Sequence, residues 1–291
     1  MDVLFCQCGA GGALPVLRAA PVIEPDSTKK RSAKVVRTQQ RDSDNAKPRF
    51  DVIVGRSESG HDHALMTAAT VSVVIPTLNE AENLPSVLDR LPPGVHEVVI
   101  VDGRSTDDTV VVARRCRPDA MIVEQSGKGK GNALTCGFWA ATGDIIVMLD
   151  ADGSTDPGEI PRFVAALLSG ADFAKGSRFL TGGGSSDITA IRRLGNRVLS
   201  STVNKLWRVN YSDLCYGYNA FWRRCLPFIA PDCNGFEVET LMNIRAARAN
   251  LLIHEVPSFE YDRRFGVSNL SAHRDGIRVL RTIVAERVRP H

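Results

Sequence analysis

The chain has 291 residues, 43% hydrophobic and 24% charged, with 36 Lys and Arg against 33 Asp and Glu for a formal charge of +3. That size and composition suit a sizeable buried core and argue against wholesale disorder, collagen-like repeats and coiled coil. The balanced charge gives no global argument for nucleic-acid binding, and no apolar stretch approaches the roughly 20 residues that span a bilayer.

Residues 1–69 show little periodicity, and Glu24 to Ser59 is rich in Lys, Arg, Asp, Ser and Gln, so a disordered N-terminal extension is expected there. Met66, just before the first convincing strand, offers a second expectation, that translation begins there, against a genuine flexible tail. Asp2 replaces a basic n-region, and Gly9 to Gly12 and Pro15 interrupt any apolar h-region, which argues against a secretory signal. The seven cysteines include no CxxC pair, and Cys6 with Cys8 is too small a set for a tetrahedral zinc site. A cytoplasmic protein is expected.

From Val71 the pattern alternates. Strands are predicted at Val71–Ile75, Glu97–Val101, Ala120–Glu124 and Asp144–Leu149, and helices at Asn83–Leu91, Asp108–Cys116 and Asn132–Ala141. Continuous apolar strands alternating with helices imply an α/β fold, a doubly wound and mostly parallel sheet with helices on both faces. Trp139, in an apolar helix, reads as a packing residue. Ile188–Val209 and His273–Arg289 read as basic amphipathic helices, suited either to docking on the core or to lying on an anionic lipid surface.

In such sheets ligands bind beyond the carboxyl ends of the strands. Asn79 and Glu80 follow the first strand, Asp102 the second, Lys128 and Lys130 the third, and Asp150 and Asp152 the fourth. Carboxylates and lysines converging on one edge suit a divalent cation, a base and phosphates together. Two carboxylates at i and i+2 off a strand end offer the oxygen ligands such a cation takes. Gly127-Lys-Gly-Lys-Gly131 lacks the Lys-Ser or Lys-Thr of a P-loop, and no G-x-G-x-x-G follows the first strand, which argues against a P-loop NTPase and a dinucleotide-binding fold. A nucleotidyltransferase normally carries its glycine-rich loop after the first strand, where this chain has Pro-Thr-Leu-Asn-Glu80.

Val-Ile-Pro-Thr-Leu-Asn-Glu80, Val-Asp-Gly-Arg-Ser-Thr-Asp107, Lys-Gly-Lys-Gly131 and Asp-Ala-Asp152, in that order, resemble family 2 glycosyltransferases with the GT-A fold, and in particular the branch of dolichyl- and polyprenyl-phosphate sugar transferases. The resemblance runs from about Val71 to Ile283, giving a transferase domain over 70–262 and a closing loop with a basic C-terminal helix over 263–291. It implies that Pro76, Thr77, Asn79, Glu80, Asp102, Ser105, Lys128, Lys130 and Arg264 bind a UDP- or GDP-sugar. It implies that Asp150 and Asp152 hold Mg²⁺ or Mn²⁺ on the diphosphate, with Asp152, Glu239 and Arg178 in catalytic roles. Arg178, in Lys175-Gly-Ser-Arg178, together with Arg193 and Ser268 would bind a lipid-phosphate acceptor, since guanidinium groups grip phosphate bidentately. Glu239 is either the base for a saccharide or small-molecule hydroxyl acceptor or a structural acceptor of hydrogen bonds. Asp262-Arg-Arg-Phe-Gly-Val-Ser-Asn-Leu270 resembles the family's Arg-x-x-Gly-x-Ser-Lys loop, with Asn269 where lysine is usual. Inverting transfer, and peripheral contact with the cytoplasmic membrane face, follow as expectations. A noncatalytic nucleotide-sugar-binding module is the alternative from another class.

Overall fold

The computed structural model describes residues 4–5, 69–266 and 272–289, all within one compact unit of the chain. Apart from Leu4–Phe5 and Ala69, the expected N-terminal extension lies outside the described residues, with Cys6, Cys8 and Met66; so do Ser268 and Asn269.

The strands are β1 (Leu4–Phe5), β2 (Val71–Thr77), β3 (Glu97–Asp102), β4 (Met121–Glu124), β5 (Ile145–Met148), β6 (Phe173–Ser177), β7 (Gly184–Ser185), β8 (Asn219–Trp222), β9 (Ile253–Pro257) and β10 (Phe259–Glu260). The principal helices are α1 (Leu84–Leu88), α2 (Thr109–Cys116), α3 (Gly129–Ala140), α4 (Ile160–Leu168), α5 (Ala190–Trp207), α6 (Leu226–Ile229), α7 (Val238–Arg248) and α8 (Ala272–Val288). The main sheet has the order β1-β4-β3-β2-β5-β8-β6-β9; β8 is antiparallel to β5 and β6, and the other pairings are parallel. A parallel pair β7/β10 forms a small second sheet.

The run Val-Ser-Val-Val-Ile makes β2 because alternate side chains are buried on opposite faces. Val73 and Ile75 join Leu84, Val87 and Phe163 on one side, while Val74 joins Leu134 and Phe138 on the other. Phe138 meets Phe221 edge-on at 5.2 Å between ring centres, and Phe221 stacks on Phe173. Truncating a fully buried Phe such as Phe138 costs about 3–5 kcal/mol. The doubly wound α/β expectation is thus met. One packing assignment is corrected: Trp139 is 54% exposed, because α3 turns its buried face at Leu134 and Phe138 and leaves the next position outside.

α5 and α8 form the wall that bears on function. Thr189 accepts the Arg192 N–H and caps α5, and Arg208 ends it in the left-handed region at φ 57°. Val203, with Leu199 beside it, packs against Val279 and Ile283 of α8 and Ile244 of α7.

Candidate active site

The parallel register places Thr77 beside Asp102 and Asp102 beside Glu124, so β2, β3 and β4 end at one level. There a cavity of about 810 Å³ opens, bordered by Pro76, Thr77, Glu80, Lys130, Asp150, Asp152, Arg178 and Glu239 among the expected site residues. Asn79, Asp102, Ser105, Lys128, Arg193 and Arg264 are not among its bordering residues. Asn79 (φ 56°) accepts the Thr106 N–H at 2.8 Å and donates its own N–H to Ser105 Oγ at 3.0 Å. Asp102 accepts the N–H groups of Arg104 and Ser105 at 3.0 and 3.1 Å. These three side chains brace the loops after β2 and β3 beneath Glu80.

Two ion clusters face the cavity. The Lys130 ammonium lies 2.7 Å from Asp150 and 2.8 Å from Glu239. Burial alone would lower its pKa, but the two carboxylates hold it above the ordinary lysine value. Glu239 is buried, and that burial raises its carboxyl, opposed by Lys130 and reinforced by Asp150. In the second cluster Arg263 donates to Glu80 at 2.5 Å and approaches Asp152 at 3.5 Å. Burial also raises Glu80, with Asn83 and Arg263 acting against it.

The glycines around Lys130 serve close approach, in place of a phosphate cradle. A Cβ at Gly129 (φ 84°) would lie 2.0 Å from the Asn234 carbonyl oxygen, and one at Gly131 2.4 Å from that of Cys233. α3 begins at Gly129, earlier than the predicted Asn132, and this puts Lys130 in its first turn, toward Asp150; Lys128 stays exposed.

The three arginines expected in the site stand in different surroundings. Arg178 borders the cavity, but Asp213 grips it in a bidentate pair at 2.7 and 3.0 Å and Glu260 binds it at 2.9 Å. Glu260 continues to Ser185, whose hydroxyl accepts the Ile188 N–H ahead of α5. In this structure Arg178 is thus ion-paired on both sides and linked through Glu260 and Ser185 to the segment ahead of α5. Arg193 is exposed, its guanidinium 5.7 Å from the Phe179 ring, whereas its neighbour Arg192 borders the cavity, paired at 2.7 Å with half-exposed Asp187. Arg263 borders the cavity, whereas the side chain of Arg264 runs along Gly153. The spacing Arg-x-x-Gly, counted back from Gly266, carries the signal for Arg263; nothing in the sequence marks Asp213 or Glu260, which reach Arg178 only through the fold.

Asp150 and Asp152 present hard oxygen donors of the kind Mg²⁺ and Mn²⁺ take. Among the described residues no group of three or more His, Cys, Asp or Glu side chains forms a protein-only metal site, so a bound cation would complete its shell with phosphate and water oxygens.

The Glycosyl transferase family 2 profile matches residues 72–228. The chain is 37% identical over 217 residues to polyprenol monophosphomannose synthase of Mycolicibacterium smegmatis, covering 68% of this chain and 80% of that protein. It is 35% identical over 207 residues to an uncharacterized glycosyltransferase of Mycobacterium bovis, covering 71% and 92%. Glucosyl-3-phosphoglycerate synthase from Mycobacterium tuberculosis, solved with Mn²⁺, UDP and glucosyl-3-phosphoglycerate, superposes with a TM-score of 0.61 at 27% identity over 77% of this chain and 82% of that one. The fold is GT-A. With the profile spanning more than half of its length and relatives above 30% identity spanning most of it, the chain belongs to glycosyl transferase family 2.

Proposed function

We propose that this glycosyltransferase moves a sugar from a UDP- or GDP-linked donor to the phosphate of a polyprenyl phosphate, with inversion at the anomeric carbon. The observation that carries the reading is the division of the cavity into two chemically different ends. The border after the strands carries Glu80, Asp150 and Asp152; the border on α5 and α8 carries Arg192, Ile191, Leu199 and Val279, with Asp187 and Asp275 beside them. An acceptor with an anionic head and an apolar tail matches the second end. The likeness to a polyprenol monophosphomannose synthase supports the same reading.

In the transfer, a phosphate oxygen of the acceptor bonds to the anomeric carbon as the bond to the diphosphate breaks, and the electron pair leaves with the nucleoside diphosphate. Asp150 and Asp152 would hold a divalent cation, Mg²⁺ or Mn²⁺, which neutralises the charge on that leaving group. The Mn²⁺ and UDP in the similar synthase support this. Asn79, Asp102 and Ser105 shape the loops on which the donor rests, and Glu80 and Arg263 border it. Arg192 exchanges Asp187 for the acceptor phosphate, an inexpensive exchange because a partly exposed ion pair contributes about 0–1 kcal/mol. The attacking oxygen is already ionised, so no base has to remove a proton.

Among the described residues no helix is long and apolar enough to cross a membrane. Ile191, Leu194 and Val198 on α5, and Ile277, Leu280 and Val284 on α8, are exposed beside Arg193, Arg197, Arg274 and Arg281. Apolar stripes flanked by basic residues support peripheral contact with an anionic bilayer.

A second reading, transfer to a hydroxyl with Glu239 as base, is favoured by the burial that raises this carboxyl beside the cavity. One screen tests both. UDP- and GDP-sugars are supplied with Mn²⁺ or Mg²⁺, and acceptors are polyprenyl phosphate and saccharides. Product on polyprenyl phosphate alone supports the first reading; product on saccharides alone replaces it with the second.

A further inference from the structure

We infer that the slot between α5 and α8 is the path of the acceptor's apolar chain and that two helical glycines, Gly195 and Gly276, set its width. This rests on the lipid-phosphate reading above. Both glycines border the cavity, one within α5 and the other within α8. A Cβ built on either meets no heavy atom within 4 Å, and neither has a positive φ. A glycine inside a helix is less favourable than alanine by about 1 kcal/mol. Neither backbone conformation nor packing requires glycine at these points; what the missing side chains provide is open volume on the cavity wall.

The slot carries apolar side chains at its floor and at its mouth, with the buried Asp275 next to Gly276. Leu199 and Val279 border the cavity and also belong to the apolar cluster that joins the two helices. Ile191 borders it as well and is 77% exposed, so the slot runs out onto the exposed apolar stripe of α5. Its polar end is set one turn away. Arg192 lies three residues before Gly195, on the neighbouring turn of the same helix. Asn196 fixes its Oδ1 on the N–H groups of Leu214 and Cys215 and leaves a buried side-chain N–H₂ without an acceptor among the described residues. Asn196 borders the cavity, and a spare donor beside Arg192 suits an oxygen-rich head group. A phosphate near Arg192 would send its attached chain past Gly195 and Gly276 to the surface.

The test is a pair of slot-filling variants, Gly195→Leu and Gly276→Leu, with Gly195→Ala as a smaller step. Leucine and alanine favour the helix over glycine, so thermal midpoints are expected to hold or rise. Affinity for UDP or GDP with Mn²⁺, by calorimetry, should stay within about twofold. Transfer to undecaprenyl phosphate should fall about tenfold or more in kcat/KM, the scale on which a filled apolar pocket discriminates. Transfer to citronellyl phosphate, whose chain is too short to traverse the slot, should stay within about twofold, and Gly195→Ala should show a smaller loss on the long acceptor. Unchanged rates on the long acceptor, or equal losses on both, would overturn the inference while leaving the lipid-phosphate reading intact. A wild-type enzyme that uses neither prenyl phosphate would overturn that reading, and this inference with it.

Discussion

The guanidinium of Arg263 donates to the carboxylate of Glu80 at 2.5 Å, across a separation of 183 residues. The contact is reinforced where Asn83 exchanges hydrogen bonds with the Phe265 backbone, 3.1 Å to its N–H and 3.2 Å from its carbonyl. The stretch 263–265 is therefore latched to Glu80 and Asn83, which follow β2, beside the cavity.

This latch separates two adjacent arginines. In the proposed donor complex Arg263, which borders the cavity, also meets the diphosphate; Arg263→Ala then removes a charge-assisted contact of a kind that contributes about 1.5–3 kcal/mol, so nucleoside-diphosphate affinity should fall about tenfold to a hundredfold. Arg264→Ala should change it by less than about twofold. Calorimetry with UDP and GDP on both variants checks the assignment, and equal losses would contradict it.

Asp152→Asn should nearly abolish transfer while the thermal midpoint stays put. Asp152 sits half-buried after β5, accepts the Ser154 N–H at 3.0 Å and, among the described residues, otherwise meets only the long contact from Arg263. Its charge therefore does little for the fold and is free for a cation. Titration of Mn²⁺ into enzyme with nucleoside diphosphate should show the weakened metal binding directly. Wild-type Mn²⁺ affinity in the variant would remove Asp152 from the metal site.

The two acceptor readings diverge at Arg192 and Glu239. For a phosphate acceptor, Arg192→Ala should lower kcat/KM about tenfold or more with donor affinity unchanged. For a hydroxyl acceptor, Glu239→Gln should be the more damaging change, by about 10²- to 10⁴-fold, because it removes a general base. Measuring each variant on each acceptor class decides between them. Arg193→Ala is the internal comparison and should stay close to wild type.

What the sequence made legible follows from the range of the interactions involved. The strands from Val71 to Met148 were readable because burial on both faces leaves continuous β-branched runs, and the polar residues after each strand fall on the expected edge. Glu80, Lys130, Asp150 and Asp152 were found for that reason. The arginines were harder, since which of two adjacent guanidinium groups faces the cavity is set by helical phase at Arg192 and by loop conformation at Arg263. The bracket on Arg178 was not readable at all, because Asp213 and Glu260 lie 35 and 82 residues away and meet it only after β6, β7 and β10 are in place. The resemblance puts Lys130 at the nucleotide pocket; its pairing with Asp150 and Glu239 depends on where α3 begins.

The last prediction concerns stability at a group the proposed chemistry does not use. Lys175 is fully buried on β6, and its ammonium donates to the Gly176 carbonyl at 2.8 Å. Burial drives its pKa below the ordinary lysine value of 10.5, although the nearby Asp213 and Glu255 carboxylates pull the other way. In the window between that depressed folded value and 10.5 the unfolded chain binds more protons than the folded one, so wild-type stability should rise with pH there. Below the window both states are protonated, and the full cost of the buried cation is present. Lys175→Met replaces the ammonium with an apolar side chain of similar length, while Asp213 keeps Arg178 as its partner at 2.7 Å. Replacing buried charges with apolar side chains of similar volume is often neutral or stabilising by about 1–4 kcal/mol. The variant should therefore be the more stable protein at neutral pH, and its advantage should shrink as the pH rises through the window. Denaturant unfolding of both proteins at a series of alkaline pH values measures this. A variant that is less stable throughout, with a slope parallel to wild type, would show instead that Lys175 serves as a required counter-ion for Asp213 and Glu255.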